Sequence, residues 1–367
     1  LQRHFALCLE CLACEPVCPS GVAFGDLMDE VRAESRRTWP AHRRWWRGFL
    51  LRLLSDPAWL RYGAAGIRSL QRHPRLWSGF QSLASVLPPA LGRLFQLLPD
   101  FPPALGRQLS HPPSLSPERG EVAIFTGCVT SVCDTEVIRA AIAVLNRLGF
   151  LVRLPEPAHC CGAMHQHNGE PERALWLARR NLEVFADPRL EAVLSIASGC
   201  GSQLARYDQL AGIGDPSLAK GFVERHRDIN VFLQSLVWPE DLGLRPLPIS
   251  VAVHDPCSLR NGLRQSAMVY RLLARIPEIR LSPLADNAFC CGAAGTYVLQ
   301  QPEMSAQLLA RKIAALEAAS PDVLVTSNTG CALHLRAGIK AAGLIIPVLH
   351  QVQLIARQLP WPESSNT

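Results

Sequence analysis

The chain has 367 residues, 48% of them hydrophobic and 19% charged, long and apolar enough for two or three domains with real cores. Its thirteen cysteines are an odd number spread through a large chain in spaced motifs, which fits metal ligation in a reducing compartment better than a disulfide scaffold. No apolar run approaches the roughly 18 residues of a membrane span, and no secretory signal with a basic start and apolar stretch is present, so a cytoplasmic protein is expected.

Residues 1–30 hold Cys8, Cys11, Cys14 and Cys18-Pro19, the C-x2-C-x2-C-x3-C-P run of a bacterial [4Fe-4S] site. One short loop can wrap thiolates at this spacing around an iron-sulfur cube; a zinc site is the plain alternative, but zinc usually pairs two knuckles across a gap. In two-cluster ferredoxins the fourth cysteine serves the other cluster, so Cys18 is expected to belong to a second site. Because the chain opens with Leu1 and enters the motif at once, the missing ligands are expected upstream.

Residues 31–118 form a cysteine-free connector rich in Arg, Trp, Leu and Pro. Between 31 and 99, twelve arginines face Glu34 and Asp56, a balance of +10 within a chain whose net charge is +6. A solvated helical face is the ordinary reading of such a run, anionic lipid or nucleic acid the sharper one; no nucleic-acid partner is expected. From His42 to Leu54 a helical pattern puts Trp45, Trp46, Phe49, Leu50, Leu53 and Leu54 on one face bordered by Arg43, Arg44 and Arg47. That suits an interfacial helix, and equally a helix packed on a partner or on its own domain. The proline-rich stretch from Pro99 to Pro117 reads as an extended linker.

From residue 119 onward strand and helix patterns alternate. Strands are predicted at Val122 to Phe125, Leu151 to Leu154 and Ala192 to Ile196, with helices at Asp134 to Leu148 and Glu172 to Phe185. The order repeats, with strands at Ser250 to Val253, Ile279 to Leu281 and Val323 to Val325 and helices at Ser266 to Ile276 and Pro302 to Ala318. The expected fold is therefore α/β: a duplicated parallel βαβ cysteine-rich domain (119–240 and 241–367), preceded by a helical ferredoxin-like [4Fe-4S] segment and an all-helical linker region.

Cysteines follow the same repeat. Cys128, Cys160, Cys161 and Cys200 recur as Cys257, Cys290, Cys291 and Cys331 at offsets of 129, 130, 130 and 131 residues. Each lies shortly after a predicted strand, and the carboxyl ends of parallel strands share one edge, so four cysteines should converge in each repeat. Adjacent cysteines can serve one site only if the backbone turns sharply, which Gly162 and Gly292 permit, and amides at the following helix starts would offset negative charge. Buried structural cysteines or a vicinal disulfide are the plain alternatives. Cys133 has no counterpart and reads as a small buried hydrophobe. His159, His165 and His167 read as solvated loop histidines that could instead tune a site by hydrogen bonding; His254 reads as a turn residue.

These motifs, with Thr126-Gly127-Cys128, Cys160-Cys161-Gly162-Ala163, Ser198-Gly199-Cys200-Gly201, His254-Asp255-Pro256-Cys257, Cys290-Cys291-Gly292-Ala293-Ala294-Gly295 and Gly330-Cys331, resemble the iron-sulfur subunits of glycolate oxidase (glycolate dehydrogenase), within a wider class that includes the cysteine-rich domains of heterodisulfide reductases. The resemblance implies an electron-transfer subunit that receives electrons from FAD-containing glycolate oxidase subunits and passes them toward a quinone, on the inner face of the cytoplasmic membrane if it is peripheral. It also implies iron-sulfur ligation by the paired cysteine sets. The wider class carries a further cysteine where this chain has Gln203 and His334, which argues against disulfide-reductase chemistry; His334 is expected as a surface histidine on a helix, with a substitute ligand as the alternative. Iron-sulfur subunits of glycerol-3-phosphate and lactate systems are the related alternatives. No G-x-G-x-x-G dinucleotide fingerprint occurs, so a flavin is expected on another chain.

Overall fold

A computed structural model describes residues 2–84, 92, 95, 97–106, 108–113, 119–240 and 242–360. The β-branched runs form two parallel sheets. The first has the order β1-β3-β2-β4-β5, from Ser110–His111 (β1), Gly120–Phe125 (β2), Phe150–Arg153 (β3), Leu190–Ser195 (β4) and His226–Asp228 (β5). The second has the order β7-β6-β8-β9, from Ser250–His254 (β6), Arg280–Pro283 (β7), Val323–Thr326 (β8) and Val348–Leu349 (β9). All pairs are parallel except β1 with β3. The predicted strands are β2, β3 and β4 of the first sheet and β6, β7 and β8 of the second, and β1, β5 and β9 add edges that the sequence pattern does not show. β1 rises from the extended linker, where Leu154 donates its amide to Leu109.

Period-two alternation divides each central strand between two cores. Val122 and Ile124 join Val251 and Val253 in one apolar cluster shared by both sheets, with the helices Thr135–Arg147, Ile229–Ser235, Ser266–Leu273 and Gln351–Gln358 between them. Ala123 and Phe125 face the other way, into a cluster that includes Cys128, Cys160 and Cys161. Ala252 likewise meets Cys291 and Cys331. The shared core thus fixes the two halves to each other, while each cysteine set lies on its sheet's far side.

The connector is helical over Phe24–Arg37, Ala41–Ser55, Pro57–Gln71 and Pro74–Ala84. Asp56 starts the third of these by accepting the amides of Ala58 and Trp59 at 2.8 and 3.2 Å, with Pro57 at the first helical position. In the helix Ala41–Ser55 the buried residues are Gly48, Leu51 and Ser55. Trp45 and Trp46 remain 62% and 55% exposed. Packing of the aromatic face on its own domain is thereby ruled out; the helix turns Gly48 inward instead, where Glu170 and Arg36 side chains close over it. No helix among the described residues is long and apolar enough to cross a membrane.

Candidate metal centre

In the first repeat Cys128 follows β2, Cys160-Cys161 follow β3, and Cys200 sits in the helix Ser198–Leu204 after β4. The Cys128 and Cys160 Sγ atoms lie 3.6 Å apart, and all thirteen cysteines are free thiols, well beyond the ~2.05 Å of a disulfide. Gly162 makes the turn with φ +92°, and its amide points at Cys160 Sγ from 3.5 Å. Beneath it, buried Asn181 donates to the Cys160 carbonyl at 3.0 Å and to the Tyr207 hydroxyl at 3.1 Å, while that hydroxyl donates to the Cys161 carbonyl at 2.8 Å. Both cysteine backbones are pinned before any ligand arrives.

These thiols resist ionisation. The hydrogen bond to Cys160, then burial, pushes Cys128 well up; contact with Cys160 favours the Cys161 thiolate, but Cys200 and burial outweigh it. Close, dry thiols that cannot ionise alone are what a soft metal or cluster converts to bound thiolates. The donor set fits such a group.

The second repeat reproduces this arrangement with Cys257 after β6, Cys290-Cys291 after β7 and Cys331 in the helix Thr329–Ala341 after β8. Cys291 and Cys331 Sγ lie 3.3 Å apart, and the Gly292 amide points at Cys290 Sγ from 3.4 Å, with φ +93° at the glycine. Hydrogen bonds from Cys257, then Cys291, draw Cys290 down, whereas Cys257 and Cys291 are pushed up, chiefly by the Cys290 thiolate.

Two buried polar groups distinguish this site. His254, expected in a turn, instead ends β6, fully enclosed, with Nδ1 3.0 Å from the Thr326 hydroxyl. Its ring nitrogen and the sulfurs of Cys291 and Cys331 all lie within 4.8 Å of one another. Lys312 is fully buried, donates to the Asp286 carbonyl and lies within electrostatic reach of Cys291 and Cys290. Ala174 packs on Gly162 as Ser305 packs on Gly292, 131 residues later. The same offset puts neutral Asn181 where the second repeat has Lys312. No motif marks Lys312 in the sequence; only the helix register reveals it.

The N-terminal loop sets its own cysteines beside the second site. Glu10 and Leu12 adopt left-handed φ of 50° and 56° around Cys11, a strained tight turn. Burial raises the Cys11 thiol, and Cys290, Cys8 and Cys14 add to it. Asn261 donates to the Cys11 carbonyl at 2.7 Å and Tyr297 to the Leu7 carbonyl at 3.2 Å. Cys18 has different surroundings: the amides of Val22, Ser20 and Gly21 draw it down. Arg32 fastens the loop to the first repeat, donating to Glu10, to the Cys8 carbonyl at 2.6 Å and to the His167 carbonyl at 2.8 Å.

The histidines depart from the solvated-loop expectation. His165 is buried between Ser55 Oγ at 2.8 Å and Glu170 at 2.6 Å. His167 is clasped by Glu10 and Asp29; burial opposes its charge, but the two carboxylates lift its pKa to about 10. His159 is half-buried, edge-on to Trp176. His334 is buried against Ser305, not on the surface, because its helix covers the second sheet. Cys133 is half-buried, and burial with Asp134 pushes it up to about 12.

The family model for the CCG cysteine-rich domain matches residues 122–205 and again 251–336. A Bacillus subtilis protein named "Probable glycolate oxidase iron-sulfur subunit" is 32% identical over 359 residues, covering 94% of this chain and 79% of its own length. The glycolate oxidase iron-sulfur subunit of Escherichia coli is 29% identical over 367 residues, covering 98% and 83%. Lactate utilization protein A of Shouchella clausii is 28% identical over 237 residues, covering 64% of this chain and 98% of its own. With two cysteine cradles of one design and similarity running through the connector as well, the chain belongs to the family of glycolate oxidase iron-sulfur subunits.

Proposed function

We propose that this chain is the electron-transfer subunit of a glycolate-oxidising complex, receiving electrons from FAD-containing partner subunits and delivering them toward a quinone at the inner face of the cytoplasmic membrane. Cys8, Cys11 and Cys14 serve one [4Fe-4S] cluster, and Cys18 serves a second. Cys128, Cys160, Cys161 and Cys200 hold a further cluster, as do Cys257, Cys290, Cys291 and Cys331. Bound iron-sulfur groups supply one-electron steps, which suit the division of a two-electron hydroxy-acid oxidation. The chain's own residues orient and shield: Gly162 and Gly292 present amides to the sulfurs, Asn181 and Tyr207 fix the carbonyls, and the strand ends keep water out.

The observation that carries this reading is the proximity of the N-terminal loop to the second turn, with Asn261 holding Cys11 and Cys290 acting on its thiol. Similarity to the glycolate oxidase subunits spans nearly the whole chain, whereas the lactate utilization match covers 64% of it, which favours glycolate. The test is anaerobic co-purification with the flavin partners, iron and acid-labile sulfide analysis, and dye reduction with glycolate. Zinc without iron would overturn the relay; turnover of lactate or glycerol 3-phosphate but not glycolate would overturn the substrate.

A further inference from the structure

The helix Ala41–Ser55 turns its apolar side away from the protein. At 3.6 residues per turn, Trp45, Phe49 and Leu53 form one row and Trp46 and Leu50 a second beside it. Their exposures run from 36% for Leu53 to 62% for Trp45. The rings lie against each other: Trp45 and Phe49 stack at 5.8 Å and Trp45 meets Trp46 edge-on at 4.9 Å. On the next helix Trp59 and Tyr62 are likewise exposed, 63% and 76%. So large an apolar patch on a surface marks a meeting place with something else.

The charge around it identifies the partner. Arg43 borders one edge of the face and exposed Arg52 the other, and the helix contains no acidic residue. Arg43 and Arg47 are held over the Trp39 ring, 4.5 and 4.8 Å from its centroid, so these cations are fixed in place. A protein partner would need a matching surface both apolar and acidic. An anionic bilayer offers both along any line: acyl chains beneath, phosphate above. Fifteen residues carrying four arginines cannot span a membrane, but they can lie in its surface.

We propose that the Ala41–Ser55 helix docks this chain on an anionic lipid bilayer, with Trp45, Trp46, Phe49, Leu50 and Leu53 among the acyl chains and Arg43 and Arg52 on the phosphates. This docking does not depend on which hydroxy acid the complex oxidises, and vesicle binding is read separately from dye reduction. The full chain is mixed with vesicles of phosphatidylglycerol and phosphatidylcholine or of phosphatidylcholine alone; sedimentation and tryptophan emission are followed. Binding to the anionic vesicles with a blue shift, and weak binding to the neutral ones, is expected. Arg43→Gln with Arg52→Gln should weaken binding roughly thirtyfold, since each removes one cation from the anionic surface. Trp45→Ser with Trp46→Ser should abolish the blue shift while far-UV circular dichroism and iron content stay unchanged. Equal binding to both vesicle types, unaltered binding by either variant, or binding only after the flavin partners are added would overturn the proposal.

Discussion

Alanine at each Cys-Cys-Gly turn measures how rigid the two cradles are without their metal. Gly162 and Gly292 have φ of +92° and +93°, where an L side chain costs about 1–2 kcal/mol. A Cβ at 162 would also meet the Ala174 carbonyl oxygen at 3.1 Å; at 292 it would meet that of Ser305 at 2.7 Å. Both obstacles are helix backbone and cannot rotate aside. Relief at 292 must also disturb the 2.9 Å bond from Ser305 Oγ to the Gly292 carbonyl, about another 1 kcal/mol. Gly162→Ala should therefore cost about 2 kcal/mol and Gly292→Ala about 3–4 kcal/mol. The assay is urea denaturation of the metal-free protein followed by far-UV circular dichroism. Gly63→Ala is the control, since a side chain there meets nothing within 4 Å and lies within a helix, where alanine is neutral or stabilising. If Gly292→Ala costs no more than Gly162→Ala, or both match the control, the turns are not rigid.

Buried histidines distant from the cysteines set an acid limit. Burial, then Arg227, lowers His226 to about 4, and burial lowers His350 to about 3. Both folded values lie below the unfolded 6.5, so the unfolded chain takes up protons first and stability falls as pH drops through 6.5. Between pH 6.5 and 5 each group should cost about 2 kcal/mol; His226→Gln with His350→Asn should flatten that slope in denaturation curves, and an unchanged slope would refute the assignment. At the second site, Lys312→Asn installs the first repeat's residue. At an effective dielectric of about 20 a neighbouring unit charge contributes on the order of 2 kcal/mol, so with an iron-sulfur group held there the variant should lower its reduction potential by roughly 90 mV. Redox titration followed by EPR would read the shift, and an unchanged or raised potential would refute the role of Lys312.

What is legible in the sequence is whatever repeats locally. The central strands and the helix Thr135–Arg147 carry strong periodicity, and the cysteines' convergence follows from parallel strands sharing an edge. β5 and β9 escape a reading of the sequence because three and two residues carry no period; they exist through pairing with Val193 to Ser195 and Leu324 to Val325. The histidines mislead for a related reason. His165 meets Ser55 across 110 residues and His167 meets Asp29 across 138; only Glu170, five residues beyond His165, is a partner close in the chain. Loop composition suggests water where the folded protein supplies carboxylates.

The two kinds of attachment divide the work of placing the cysteines. The shared apolar core holds the repeat turns at a fixed mutual distance, because strands of both sheets and the helices between them pack as one cluster. The N-terminal loop lies outside that core and is held by polar joints, Arg32 to Glu10, Arg36 to Glu170 and Arg206 to Asp26. Those joints tie the loop and the helix after it to the first repeat, while Asn261 and Tyr297 hold the Cys11 and Leu7 carbonyls beside the second turn. Duplication by itself would yield two equal cradles with no preferred direction between them. The placement of Cys11 beside the second turn, with Lys312 and His254 in the second half where Asn181 and Phe125 stand in the first, makes them unequal. Charge and hydrogen bonding around the sulfurs are among the levers that set cluster potentials, and the divergence of these buried side chains makes the structural repeat two electrostatically distinct cradles.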